Sequence, residues 1–187
     1  MLQTRACGAL RNLTRRVAAN RTFAVNAGAI EVAVAAMRTY ASVVELQERA
    51  CGVLRNLSSS IVENRNLAGN ANAVEAVVAA LRGHPTSAEV QETALFIFTV
   101  NNPRCTSRAV DAGAIEALVA AMRGHAGSAG VQERAFTALY FIINGNDANK
   151  LRARSAGAKA SAEAALKTHH ATEKVVTEAQ DLLQQLL

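Results

Sequence analysis

Leu2-Gln3-Thr4-Arg5-Ala6-Cys7-Gly8-Ala9-Leu10-Arg11-Asn12-Leu13 returns 44 residues later as Leu46-Gln47-Glu48-Arg49-Ala50-Cys51-Gly52-Val53-Leu54-Arg55-Asn56-Leu57. The block comes back in degraded form as Val90-Gln91-Glu92-Thr93-Ala94 and Val131-Gln132-Glu133-Arg134-Ala135, at further offsets of 44 and 41. A second marker keeps step with it: Gly28-Ala29-Ile30-Glu31, Asn72-Ala73-Val74-Glu75, Gly113-Ala114-Ile115-Glu116 and Gly157-Ala158-Lys159-Ala160. Both markers lose the same three residues in the same unit, which places a deletion in the connection between Val100 and Asp111. A fixed period of this length is the signature of a repeat array, in which each unit buries its apolar face against its neighbours.

Within each unit the apolar pattern is helical. Val43, Leu46, Ala50, Val53, Leu54 and Leu57 recur at spacings of three and four, one buried stripe. A shorter apolar helix runs from Ala73 to Leu81, opened by Asn72 and closed near Gly83-His84-Pro85. The pattern predicts three helices per unit: a short first one (17–26, 61–69, 103–112, 147–156), a second (29–38, 73–82, 114–123, 158–167) and a longer third (2–14, 43–58, 87–101, 128–144, 172–187). Composition agrees, because forty alanines with no tryptophan favour closely packed helices over a sheet. Half of the 187 residues are apolar and the net charge is only +5, so the chain can bury a core. The strongest apolar runs, Ala94 to Val100 and Ala138 to Ile143, fall far short of the ~20 residues a bilayer-spanning helix needs. Three cysteines do not make a disulfide framework, which points to a reducing compartment, the cytoplasm or nucleus.

A unit of this length, with a Gly-Ala-Ile-Glu-like opening to its second helix and an Ala-Cys-Gly-Val-Leu-Arg-Asn-Leu third helix, resembles the armadillo repeat. HEAT repeats, the nearest competitor, are usually two-helix units, and the short first helix argues against them. The resemblance covers the whole chain and implies an all-α, right-handed α-solenoid, an armadillo-type superhelix of about four stacked three-helix repeats with the third helices lining a concave groove. Residues 1–187 then form one armadillo-repeat domain: a partial repeat 1–16, repeats 17–60, 61–101 and 102–145, and a C-terminal capping repeat 146–187. In the cap, Val175, Val176, Ala179, Leu182, Leu183 and Leu186 are expected to pack inward while Asp181, Gln184 and Gln185 face water. The chain opens directly in a third helix, leaving Leu2, Ala6, Ala9, Leu10 and Leu13 without a stacking partner. The favoured expectation is a piece of a longer array; the other is that a second chain covers this face, which includes weak self-association through the uncapped N-terminal helix.

The resemblance also implies an asparagine row that clamps the backbone of an extended peptide. The matching residues are Asn12 and Asn56, and the row lapses at Val100 and Phe141. A carboxamide can bind a peptide N–H and C=O together; the competing reading is a helix-terminal residue bonding nearby backbone. One turn back, where many family members carry tryptophan, stand Gly8, Gly52, Phe96 and Thr137. Glycine inside a helix costs roughly 1 kcal/mol relative to alanine, so either a hollow floor for a partner's bulk or the close approach of a neighbouring helix must explain it. Phe96 would mark the apolar end of the groove, or simply core. A further turn back, Arg5, Arg49 and Arg134, with Thr93 between, could pair with a partner's carboxylates, or form a solvated face. The first 82 residues hold ten arginines against five glutamates, whereas the remainder is neutral, so the excess charge sits with these rows.

No catalytic arrangement, metal site or cofactor is expected. His84, His125 and His169 are repeat equivalents one helix layer apart, too far for a shared zinc. Cys7 and Cys51 are likewise equivalents and suit small buried hydrophobes, whereas Cys105 is the candidate exposed thiol. The Gln-Glu pairs ending at Glu48, Glu92 and Glu133 recur with the repeat and are expected to be structural. The sequence therefore points to a non-enzymatic protein-interaction scaffold that binds an acidic peptide in its groove. Two alternatives stand beside it: a nucleic-acid-binding helical repeat, against which the scarcity of aromatic stacking residues counts, and a structural spacer within a larger array.

Overall fold

The computed structural model of the chain describes residues 2–58, 72–99 and 103–187. They form twelve α-helices: α1 (Leu2–Thr14), α2 (Ala18–Asn26), α3 (Ala29–Thr39), α4 (Val44–Ser58), α5 (Ala73–Gly83), α6 (Ala88–Leu95), α7 (Pro103–Asp111), α8 (Ala114–Gly124), α9 (Ala129–Ile143), α10 (Asp147–Ala156), α11 (Ala158–Thr168) and α12 (Glu173–Gln185). No strand occurs among the described residues. The predicted helix over 61–69 lies outside them, as does Val100. One element differs from its sequence pattern: the expected third helix over 87–101 is α-helical only to Leu95 and tightens into a 3₁₀ turn over Phe96–Thr99. Phe96-Ile97-Phe98-Thr99 is all aromatic or β-branched, side chains that lose rotamer freedom against the preceding helical turn. α7 opens at Pro103, the equivalent of Asp147 by the spacing of Gly113 and Gly157, so the three missing residues fall ahead of it.

Local backbone chemistry explains both sequence markers. Gly28, Asn72, Gly113 and Gly157 each precede a second helix in the left-handed conformation, with φ of 77°, 58°, 81° and 89°. Glycine adopts it without a Cβ penalty, and asparagine is the residue that best replaces glycine there. The other marker contains a staple. Gln47, Gln91 and Gln132 are buried in the third helices, and each Nε2 donates to two carbonyl oxygens ending the second helix before it: Met37 and Tyr40, Leu81 and His84, Met122 and His125, at 2.8–3.1 Å. Carbonyls orphaned at a helix C-terminus thereby gain a donor inside the core.

The units stack through like elements. Successive third helices pack α1 on α4, α4 on α6, α6 on α9 and α9 on α12, while the second helices α3, α5, α8 and α11 form a parallel row. The recurring histidines tie one layer to the next: Nε2 of His84, His125 and His169 donates to the carbonyl oxygens of Ala41, Pro85 and Ala126 at 2.7–2.8 Å. Across the stack lie Arg108 with Glu75 and Arg152 with Glu116. At the C-terminal end Val175, Ala179, Leu182 and Leu186 are buried, Val176 and Leu183 half-buried, and Asp181 and Gln184 exposed, with Gln185 half-buried. At the other end Leu2 is 78% and Leu13 60% exposed, whereas their equivalents Leu46 and Leu57 are fully buried. Ala6 and Ala9 are exposed too, and Leu10 is half-buried.

Candidate functional site

The eight residues expected to line the groove lie on one side of the stack. Arg5, Gly8, Asn12 and Arg49 line a cavity of about 490 Å³ between α1 and α4. Gly52, Asn56 and Phe96 line a second of about 530 Å³, and the two share Arg11 and Asn12. Arg134 reaches the same strip from α9, its guanidinium carbon 5.8 Å from the Phe96 ring centre. The structure therefore brings all eight together along α1, α4, the 3₁₀ turn that follows α6, and α9.

Their individual states differ. Arg5 and Asn12 are exposed, and neither side chain makes a hydrogen bond or ion pair among the described residues. Arg49 is engaged: it pairs with Glu45 and donates from Nη1 to the Thr4 carbonyl oxygen at 3.3 Å. Arg134 pairs with Glu92 at 2.9 Å. Asn56 donates from Nδ2 to the Arg11 carbonyl oxygen at 2.9 Å and to Thr14 Oγ1 at 3.3 Å. The glycines leave space that the chain's own arginines fill. A Cβ on Gly8 would come within 2.7 Å of Arg49 Nη1, and one on Gly52 within 2.6 Å of Arg11 Cδ and Nε. In the next unit the same slot holds Phe96, and Arg55 lays its guanidinium 4.4 Å over that ring. Phe141, where the asparagine row would continue, packs edge-on against Tyr140 instead.

The recurring glutamates bridge neighbouring third helices: Glu48 with Arg11, Glu92 with Arg134, Glu133 with Lys174. Cys7 and Cys51 are buried, and burial pushes the Cys51 thiol up to about 12. Cys105, expected to be exposed, is half-buried between α7 and the stack, and burial raises its thiol despite nearby Arg108. Among the described residues no three His, Cys, Asp or Glu side chains cluster as metal ligands, and no helix is long and apolar enough to cross a membrane.

Sequence reasoning missed five cations as site residues. Arg15, Arg16 and Arg21, from the end of α1 and from α2, join Arg11 and Arg55 around the larger cavity. Burial, then the proximity of Arg134 and Arg11, lowers the Arg55 pKa from its usual value. The run Arg11-Asn12-Leu13-Thr14-Arg15-Arg16 was a visible signal, although Arg15 and Arg16 fall outside the repeat rows.

Helical layers, left-handed corners between first and second helices, and a strip of third helices define the class: an α-solenoid repeat protein. The particular fold is the armadillo-type right-handed superhelix. Comparison with solved structures agrees. A designed armadillo repeat protein in complex with the peptide (KR)4 superimposes with a TM-score of 0.79 at 24% identity, over 98% of this chain and 75% of that one. An engineered protein matches with a TM-score of 0.81 at 28% identity, over 98% of this chain and 44% of its own length. A third, one of the computationally designed armadillo repeat proteins for modular peptide recognition, gives 0.59 at 21% identity, over 96% and 91%. No protein-family profile matches the sequence, and no curated protein matches it.

Proposed function

We propose that this chain is a non-enzymatic protein-interaction scaffold of the cytoplasm or nucleus that holds an extended, acidic peptide segment along its third-helix strip, without a cofactor. The observation that carries this reading is the pair of adjoining cavities in which Arg5 and Asn12 stand exposed and unpartnered among the described residues. Arg5 supplies charge to a carboxylate, and the Asn12 amide supplies one donor pair and an acceptor to peptide backbone. Gly8 and Gly52 set the floor by admitting Arg49 and Arg11, and Phe96 carries Arg55 at the far end. Asn56, Arg49 and Arg134, being tied to neighbouring helices, shape the strip. The designed relative in complex with (KR)4 supports an extended peptide as ligand on this fold; the arginine lining here argues for the opposite sign of charge.

The test follows from which side chains are free. Substituting Arg49 or Asn56 would disturb the stack, so the informative variant is Arg5→Gln/Asn12→Ala. Titration by fluorescence anisotropy with a labelled alternating Glu-Asp peptide and with (KR)4 should show binding of the acidic peptide alone, weakened at least tenfold in the variant. Equal affinity of variant and wild type, or preference for (KR)4, would overturn the reading.

One observation favours an additional contact. Because Leu13 is exposed where Leu57 is buried, we propose weak association of two copies of this chain through α1. Sedimentation should show concentration-dependent dimerisation that Leu13→Glu abolishes; a monomer at all concentrations sinks it.

A further inference from the structure

The larger of the two cavities is surrounded by Arg11, Arg15, Arg16, Arg21 and Arg55, and no carboxylate among the described residues lines it. Among the described residues, only Arg11 of the five has an ion pair, with Glu48. The side chains of Arg15, Arg16 and Arg21 make no hydrogen bond or ion pair among the described residues, and Arg55 lies over the Phe96 ring with no hydrogen bond or ion pair among them. Arg21 Nε is buried with no hydrogen-bond partner among the described residues. A buried N–H without an acceptor costs free energy comparable to a lost hydrogen bond, and four like charges around one cavity repel. Both costs are relieved by an anion in the cavity, and its chemistry can be narrowed.

We infer that this five-arginine cavity is a phosphoryl-binding subsite that receives a phosphorylated side chain of the peptide partner. The inference deepens the groove reading and rests on it. Each guanidinium presents about five N–H donors in a planar fork. A carboxylate offers two oxygens and one charge, too few for four unpaired guanidiniums. A phosphorylated residue brings about −1.5 to −2 charge and three strong acceptor oxygens, so two or three forks can engage it together. The volume of about 530 Å³ admits a phosphorylated side chain with room for bridging water. A nucleic-acid strand fits less well. The Phe96 face is covered by Arg55, leaving it unavailable for base stacking, and the excess charge is compact, because residues 83–187 are neutral overall and offer no extended basic track.

The experiment uses a ten-residue acidic peptide with one central phosphoserine, together with its serine and aspartate counterparts and a random 20-nucleotide RNA, titrated at 150 mM salt. Two variants are compared with wild type: Arg15→Gln/Arg55→Gln, and Arg15→Gln/Arg16→Gln, whose side chains are exposed and support no other element. Melting curves confirm that both fold. The wild type should bind the phosphoserine peptide at least tenfold more tightly than the aspartate peptide, and both variants should bring that ratio close to one. A ratio near one in the wild type, or one unaffected by the variants, overturns the phosphoryl subsite. If the aspartate peptide still binds in that case, the groove reading survives; if no acidic peptide binds, both fall. RNA bound more tightly than the phosphopeptide through the same arginines also overturns the inference and restores the nucleic-acid alternative.

Discussion

Asn56 reaches back across one helix layer and donates from Nδ2 to the Arg11 carbonyl oxygen, 2.9 Å away, in the last turn of α1. Asn12, its repeat equivalent, has an exposed side chain that bonds nothing among the described residues. The same residue in the same motif thus has two different tasks, and substitution separates them. Asn56→Ala should cost about 1 kcal/mol, the usual net value of a partly buried hydrogen bond, seen as a lower midpoint in urea unfolding. Asn12→Ala should leave the midpoint unchanged and weaken acidic-peptide binding.

Gln132→Ala should be more damaging. Its amide is buried and satisfies the carbonyls of Met122 and His125 at 2.8 and 3.0 Å. Removing it strands two acceptors and leaves a cavity, a loss of about 1–3 kcal/mol. Calorimetry should then show a melting temperature lower by several degrees, since 1 kcal/mol corresponds to roughly 2–4 °C at this chain length. Gln3→Ala, at the exposed equivalent in α1, should change nothing.

These contrasts show what the sequence discloses and what it conceals. The helices were legible because the apolar stripes recur with both spacing and chemistry, and the corner glycines announced themselves through Gly28, Gly113 and Gly157. The glutamine staple was present as a recurring Gln47, Gln91 and Gln132, but glutamine carries no apolar signal, and only burial distinguishes it from a surface residue. The histidine row was visible as a row; that Nε2 meets the previous layer's turn depends on how layers offset. Arg49 and Arg134 could be read as groove cations or as a solvated face; the Glu45–Arg49 pair is legible as an i,i+4 spacing, whereas Glu92 engages Arg134 from one layer away, which spacing within one helix does not show. The cavity arginines come from the ends of α1, α2 and α4, a juxtaposition that periodicity within one helix cannot express.

Glycine-to-alanine substitutions should change sign with position. At Gly8 the backbone is helical, and the atom nearest an added Cβ is Arg49 Nη1, the end of a flexible side chain that can swing aside at the cost only of its long, 3.3 Å bond to the Thr4 carbonyl oxygen. Gly8→Ala should therefore stabilise by about 0.5–1 kcal/mol through helix propensity. At Gly157 φ is +89°, and an added Cβ would collide with Arg123 Nη2, which donates to the Ala156 carbonyl oxygen. Gly157→Ala should cost about 1–2 kcal/mol from the left-handed backbone alone. Parallel denaturant curves decide the matter, and loss of stability at both sites would contradict the argument.

Acid should weaken the stack through Glu116. Arg152 donates two hydrogen bonds to its carboxylate and holds its pKa below the ordinary carboxylate value. The folded state then binds fewer protons than the unfolded chain between the two pKa values, so stability rises with pH across that interval. The contribution is complete above the unfolded value of about 4.3 and disappears as pH falls through the lower folded value. Both side chains are about two-fifths exposed, so solvent screening keeps the effect within about 1 kcal/mol. Urea midpoints measured from pH 7 down to pH 3 should fall less steeply for Glu116→Gln than for the wild type below pH 5. Parallel curves would show that Glu116 does not carry the acid sensitivity.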